Sequence, residues 1–217
     1  MAPALAVFDL DGTLTRRDTL LPYLAAFLRQ HPQRLARLPL VLSALARFAL
    51  GRADRGAVKS AAIRAVLGGR TRQEIDAWTG EFVPHLLAHG MRADALAALE
   101  AHRRRGDRLV LLSASPDLYV PAIGRALGFA ETVCTGIAWD GERLTGRLTT
   151  PNRRGAEKAR VLSALRRDHP GLKVVAYGNS AGDLAHLALA DRAMLVNGSA
   201  RARRIAARSK IDCVTWR

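Results

Sequence analysis

The sequence predicts an α/β fold: a parallel sheet with helices on both faces and a helical cap inserted after the first strand. Three observations lead there. First, short apolar runs of strand length recur at Ala4–Phe8, Arg108–Leu112, Val174–Tyr177 and Met194–Val196. Runs of that length and character suit buried parallel strands. Second, helical patterns at Ala93–Arg105, Pro116–Leu127, Gly155–Arg167 and Gly182–Ala190 lie between them. Strands alternating with helices imply a parallel sheet with both faces covered. Third, the stretch from Thr19 to about Gly90 reads as helix alone, with breaks near His31-Pro32, Gly51, Gly68-Gly69 and Gly90. The chain is expected to divide into a core of residues 1–16 and 91–217 and a cap of residues 17–90.

The remaining elements follow in order. Between Ser113 and Lys158 there is room for a helix, a strand and a hairpin, and for no second cap. Asp140-Gly141 is a strong hairpin turn between Ile137-Ala138-Trp139 and Leu144–Leu148. Ser115-Pro116 reads as a helix N-cap followed by proline at the first helical position.

Composition excludes several classes. The 217 residues are 49% hydrophobic and 24% charged, as in ordinary globular proteins. Two cysteines, Cys134 and Cys213, form neither a disulfide framework nor a metal-ligand spacing, so a reducing, cytoplasmic compartment is expected. The start of the chain is too short and uncharged for a signal peptide. Between Leu35 and Gly51, Arg37 and Arg47 leave only Leu38–Ala46 uncharged, well short of the ~20 residues of a membrane span. The net charge of +15 rests on scattered arginine, while lysine stands only at Lys59, Lys158, Lys173 and Lys210. The runs Arg103–Arg105 and Arg201–Arg204 lack interleaved aromatics, so no specific nucleic-acid partner is expected.

The chemistry begins at Phe8-Asp9-Leu10-Asp11-Gly12-Thr13-Leu14. A strand here delivers two carboxylates to the carboxyl edge of the sheet, where open α/β sheets bind ligands, and Gly12 permits a sharp turn. One aspartate is a competent nucleophile toward phosphorus. A second can protonate the leaving oxygen and then activate water.

Further segments follow in a recognisable order: Leu109-Val110-Leu111-Leu112-Ser113, then Lys158 in the first turn of a helix, then Tyr177-Gly178-Asn179-Ser180-Ala181-Gly182-Asp183. Together these resemble the four motifs of the haloacid dehalogenase superfamily. Trp139-Asp140-Gly141-Glu142-Arg143-Leu144-Thr145-Gly146, Gly155-Ala156-Glu157-Lys158 and the cap position are similar to its phosphoserine phosphatase-like branch. The resemblance implies a Rossmann-like core and a phosphatase with Asp9 as nucleophile, Asp11 as acid–base, Ser113 on a phosphoryl oxygen and Lys158 neutralising charge. It implies Mg²⁺ held by Asp9, the Asp11 carbonyl, Asn179 and Asp183. Asn179 departs from the usual aspartate, which predicts weaker metal binding.

Gly12, Thr13 and Ala114 are expected against the substrate. By similarity to phosphoserine phosphatases, Asp18 and Arg64 are expected to contact its amino and carboxylate groups. A small phosphorylated metabolite such as phosphoserine is therefore one expected substrate. A second reading comes from Gln33–Arg52, where apolar residues are combined with Arg34, Arg37, Arg47 and Arg52. Such a helix can lie in a membrane interface, and the segment resembles the cap of bacterial phosphatidylglycerophosphate phosphatases. That reading adds peripheral contact with the inner face of the membrane. A third is a weakly catalytic binding or regulatory protein of the same fold. The oligomeric state is left open.

Overall fold

The structure, a computed structural model, describes residues 3–209 and 211–217. Six parallel strands form the sheet in the order β3-β2-β1-β6-β7-β8. They are β1 (Ala4–Phe8), β2 (Arg108–Pro116), β3 (Glu131–Thr135), β6 (Lys173–Gly178), β7 (Arg192–Val196) and β8 (Asp212–Val214). The chain builds outward from β1 to β3, then returns to β6 and builds the other way. The order reverses between β1 and β6, and a ligand crevice is expected at the carboxyl ends of those two strands.

Alternation along the strands sorts the core into two layers. Leu5 and Val7 of β1 join Val110, Leu112, Val174, Ala176 and Leu195 on one face. They pack on α7 (Ala156–Asp168), α8 (Leu184–Leu187) and α9 (Ala200–Arg208). Ala6 and Phe8 face the other way with Leu109, Leu111 and Tyr177, toward α5 (Ala93–Arg104), α6 (Val120–Ala126) and the inserted helices.

The insertion comprises α1 (Leu20–Gln30), a 3₁₀ segment (Pro32–Arg37), α2 (Pro39–Ala49), α3 (Arg55–Leu67) and α4 (Arg72–His89). Its ends are tied together where it leaves the core. Thr15 bridges Met91, Arg16 N donates to Gly90 O (2.9 Å) and Arg92 N donates to Leu14 O (2.9 Å). Asp54 caps α3, its carboxylate accepting from Ala57 N at 2.8 Å, and such a cap contributes about 1 kcal/mol. The hairpin of β4 (Ile137–Asp140) and β5 (Arg143–Leu148) lies against α3 and the following loop, with Leu144 N donating to Arg70 O at 2.9 Å.

Three expectations need correction. The helix expected at Pro116–Leu127 starts only at Val120. Pro116 is still extended, paired with Thr135 beyond a register shift that follows Leu112, so Ser115 caps no helix. The helix expected at Gly182–Ala190 is the single turn Leu184–Leu187. The sheet also has an edge strand, β8, that the apolar pattern did not reveal.

Candidate active site

The ends of β1 and β6 are joined before either loop begins, because Asp9 N donates to Tyr177 O at 3.0 Å. Below them Phe8 and Tyr177 stack with ring centroids 4.3 Å apart. The chain then makes a wide turn over Leu10–Leu14, closed by Thr15 N donating to Leu10 O at 3.0 Å. Gly12 sits in it at φ +77°, a region that favours glycine. A Cβ at Gly12 would lie 2.0 Å from Asn179 Nδ2. Glycine at this place lets the fourth-motif loop close onto the first.

Lys158 stands at the start of α7 and is almost fully buried. Its Nζ donates to Asp9 Oδ1 and to Asp183 Oδ1, both at 2.6 Å. One ammonium thus serves two carboxylates. Asp9 Oδ2 accepts from Thr13 Oγ1 at 2.9 Å. Asp183 Oδ2 accepts from Ser180 Oγ (2.6 Å), Ser180 N (2.9 Å) and Asn179 N (3.3 Å).

The electrostatics follow from burial and this sharing. Burial pushes the Asp9 carboxyl up, and the Asp183 charge adds to it, against the pull of Lys158. Burial also opposes the charge on Asp183, but Lys158 and hydrogen bonds from Lys158 and Ser180 outweigh it and hold that carboxyl below the usual range. Burial opposes the charge on Lys158, and its two carboxylates more than reverse this. Behind Asp183, burial and then Lys158 push His186 down to about 3, so its ring is neutral.

Asp11 is held in a different way. Oδ1 accepts from Thr19 N (2.7 Å) and Thr19 Oγ1 (2.6 Å), and Oδ2 accepts from Ser115 Oγ (2.6 Å). Burial, then the nearby Asp18 charge, pushes its carboxyl up against those hydrogen bonds. A carboxyl raised in this way suits a proton donor.

Asp9, Asp11, Gly12, Asp18, Ala114, Lys158, Asn179 and Asp183 all line one cavity of about 740 Å³ between the sheet edge and the inserted helices. Thr13 stands behind Asp9 as its hydrogen-bond partner. Ser113 is fully buried and its Oγ accepts from Ser115 N at 3.0 Å, whereas Ser115 reaches the cavity wall.

Arg64 does not join this group. The face of α3 that meets the cavity carries Arg55, Val58, Lys59 and Ala62, at the i, i+3, i+4, i+7 spacing of one helical stripe. Arg64 lies off that stripe, and its side chain is exposed. Its backbone abuts Gly146 of the hairpin, where a Cβ would come within 2.7 Å of Arg64 N.

Lys59 is the residue the sequence reading missed. Its Nζ donates to Ala114 O and Asn152 Oδ1, each at 2.5 Å, tying α3 to the end of β2 and to the loop after β5. Burial pushes it down to about 8 despite Asp11 and Asp18. The signal was present: lysine is rare in this arginine-rich chain, and Lys59 is one of only four.

Paired aspartates at a strand end, a buried lysine and a second acidic loop thus gather where the strand order reverses. The sequence profile of the haloacid dehalogenase-like hydrolases matches residues 6–188, and the chain belongs to that family. It is similar to Protein CicA of Caulobacter vibrioides, 34% identical over 195 residues that span 87% of this chain and 84% of that one. A protein of unknown function from Bordetella pertussis Tohama I superposes with a TM-score of 0.81 at 24% identity, over 99% of both chains. A substrate-bound phosphoserine phosphatase superposes with a TM-score of 0.68 at 14% identity, over 99% of this chain and 93% of that one. These two likenesses establish the shared fold.

Proposed function

We propose that this hydrolase is a Mg²⁺-dependent phosphatase that cleaves phosphate monoesters through an aspartyl-phosphate on Asp9. The single observation that carries the reading is the bridge from Lys158 to Asp9 and Asp183 at the floor of the cavity. It sets a nucleophile and a fixed positive charge side by side.

The residues fit the metal. Among the described residues no three His, Cys, Asp or Glu side chains gather into a metal site. The Asp11 carboxylate is turned to Thr19 and Ser115. The donors are then two carboxylates (Asp9 and Asp183), the Asn179 amide and the Asp11 carbonyl, a set made wholly of oxygen. Mg²⁺ takes such ligands and keeps only one or two carboxylates beside water and substrate phosphate. When bound, the ion offsets charge on the phosphoryl oxygens.

The chain's own groups do the rest. A carboxylate oxygen of Asp9 attacks phosphorus as the ester P–O bond breaks, and the leaving oxygen takes the proton of Asp11. Asp11 then accepts a proton from the water that attacks the phosphorus, releasing inorganic phosphate and restoring Asp9. Thr13 orients Asp9. Lys158 offsets charge on the transferring group. Ser113, expected on a phosphoryl oxygen, stands behind the cavity wall, where its Oγ accepts from Ser115 N.

Asp11→Asn is expected to slow turnover by about 10² to 10⁴-fold while phosphate still binds. Steady-state rates and product inhibition by phosphate measure the two separately. A loss below about tenfold assigns the acid–base role elsewhere. The metal assignment is tested by titrating activity with Mg²⁺. Asn179→Asp adds a negative charge and should lower the concentration for half-maximal rate, and Asp183→Asn should raise it. Identical curves for the parent and both variants would remove the metal from this loop. Absence of turnover by the parent at every Mg²⁺ concentration would leave a binding protein.

The substrate is a phosphate ester whose other end meets the inserted helices, residues 17–90, which we take as the cap. A lipid phosphate is favoured over phosphoserine by two observations. Arg64 is outside the cavity, and Leu20, Leu21, Leu45, Phe48 and Val58 are among the residues that line it. No helix of the described residues is long and apolar enough to cross a membrane, so such a substrate would be met at a surface. The free cysteines Cys134 and Cys213 suit a cytoplasmic setting.

A further inference from the structure

Of the ten large apolar side chains left exposed among the described residues, seven lie between Leu21 and Leu50. The other three, Leu96, Leu189 and Ile205, stand apart in the sequence, and single exposed apolar residues are ordinary. A concentration of this kind marks an interaction surface. In α2 only Ala44 is buried. Leu42, Leu45 and Ala49 follow the i, i+3, i+7 spacing of one stripe, and all three are exposed. Leu45 and Phe48 also line the catalytic cavity, together with Leu21 from α1. The apolar face and the mouth of the cavity are therefore one continuous surface.

Charge decides what covers it. Residues 29–55 carry Arg29, Arg34, Arg37, Arg47, Arg52 and Arg55 against a single carboxylate, Asp54. None of these arginines is in an ion pair among the described residues. A second copy of the chain would set this basic segment against itself, because a two-fold interface repeats the same patch on both sides. An acidic protein segment would match the charge but would sit across the cavity mouth and block the way to Asp9. An anionic lipid surface satisfies both the leucines and the arginines, as interfacial helices of this composition do. It also leaves the cavity open toward the face from which a headgroup would enter.

We propose that α2 and the adjoining Leu21 dock this enzyme on an anionic lipid surface, and that its substrates are phosphate monoesters presented there. The substrate half of this statement rests on the phosphatase reading above. The docking half does not.

The test is co-sedimentation of the full chain with vesicles of phosphatidylcholine, alone or mixed with phosphatidylglycerol. Binding should rise about tenfold or more with the anionic lipid and should weaken as salt screens the arginines. Leu42→Asp combined with Leu50→Asp changes two exposed residues outside the cavity lining. That variant should lose roughly tenfold in vesicle binding and hydrolyse p-nitrophenyl phosphate as the parent does. Asp9→Asn should bind vesicles normally, so a failure of catalysis is read separately from a failure of docking. Phosphatidate in the mixed vesicles should be cleaved faster than a short-chain soluble phosphate monoester, and equal rates would overturn the substrate half. The docking half is overturned by equal binding to both vesicle types, or by a double variant that binds like the parent. It is also overturned by light scattering that finds a dimer lost in that variant, since the leucines would then face a second copy.

Discussion

Asp9→Asn is expected to reduce phosphate monoester hydrolysis to background while leaving the protein folded. An amide cannot form the acyl-phosphate that the proposed reaction passes through. The change removes little else. Asparagine has nearly the same shape, and its oxygen can still accept from Thr13, as Asp9 Oδ2 now does at 2.9 Å. It also leaves one carboxylate, Asp183, for the one ammonium of Lys158, which removes a like-charge repulsion. Without metal, the variant should therefore melt no lower than the parent. Initial rates with p-nitrophenyl phosphate, together with thermal unfolding in chelator, check both halves. Substantial hydrolysis by a folded Asp9→Asn protein would end the covalent mechanism.

Asp9 was legible because its signal is local. An apolar run, two carboxylates one residue apart and a glycine specify a strand end and a turn without any tertiary information. Lys158 and Asp183 were legible through the resemblance of their segments to the family's motifs, and the strand order, which brings the ends of β1 and β6 together, gathers them beside Asp9. The two serines were harder. They stand two residues apart on β2, and regular alternation would put both on the same face. The register shift between Leu112 and Pro116 breaks that alternation, so Ser115 reaches the cavity while Ser113 stays behind it. Nothing in the sequence announces the shift.

The inserted helices were read least well, for a related reason. The helix α3 is enclosed by α1, α2 and the hairpin, so its buried residues, from Gly56 to Leu67, do not form one stripe. Without a stripe the helical phase cannot be read, and the phase is what separates Lys59 in the cavity from Arg64 outside it. The strand β8 has three residues, Asp212–Val214, of which two are exposed, too short and too wet to leave an apolar run.

Lys158→Met is expected to abolish turnover and also to lower stability by about 3–5 kcal/mol near neutral pH, the usual cost of removing one partner from a buried ion pair. The side chains of Asp9 and Asp183 are 7% and 5% exposed, and without the ammonium their charges have no nearby compensation. The size of the loss should depend on pH in a definite direction. In the parent, Asp183 is held below its ordinary value. Its contribution is therefore present above the ordinary aspartate range and is lost as pH falls through the depressed value. Lys158 is raised above its ordinary value. Its own contribution is complete below that ordinary value and fades only in strong base. In the variant, burial and the repulsion between the two carboxylates raise both, so the folded state takes up protons more readily and gains relative stability as pH falls. The stability gap between parent and variant should be widest near neutrality and should narrow steadily toward acid. Urea unfolding of both proteins across that range, in chelator so that no metal replaces the lost charge, measures it. A gap that stays constant with pH would mean that Lys158 stabilises the fold through packing, and that its charge is not what holds Asp9 and Asp183 together.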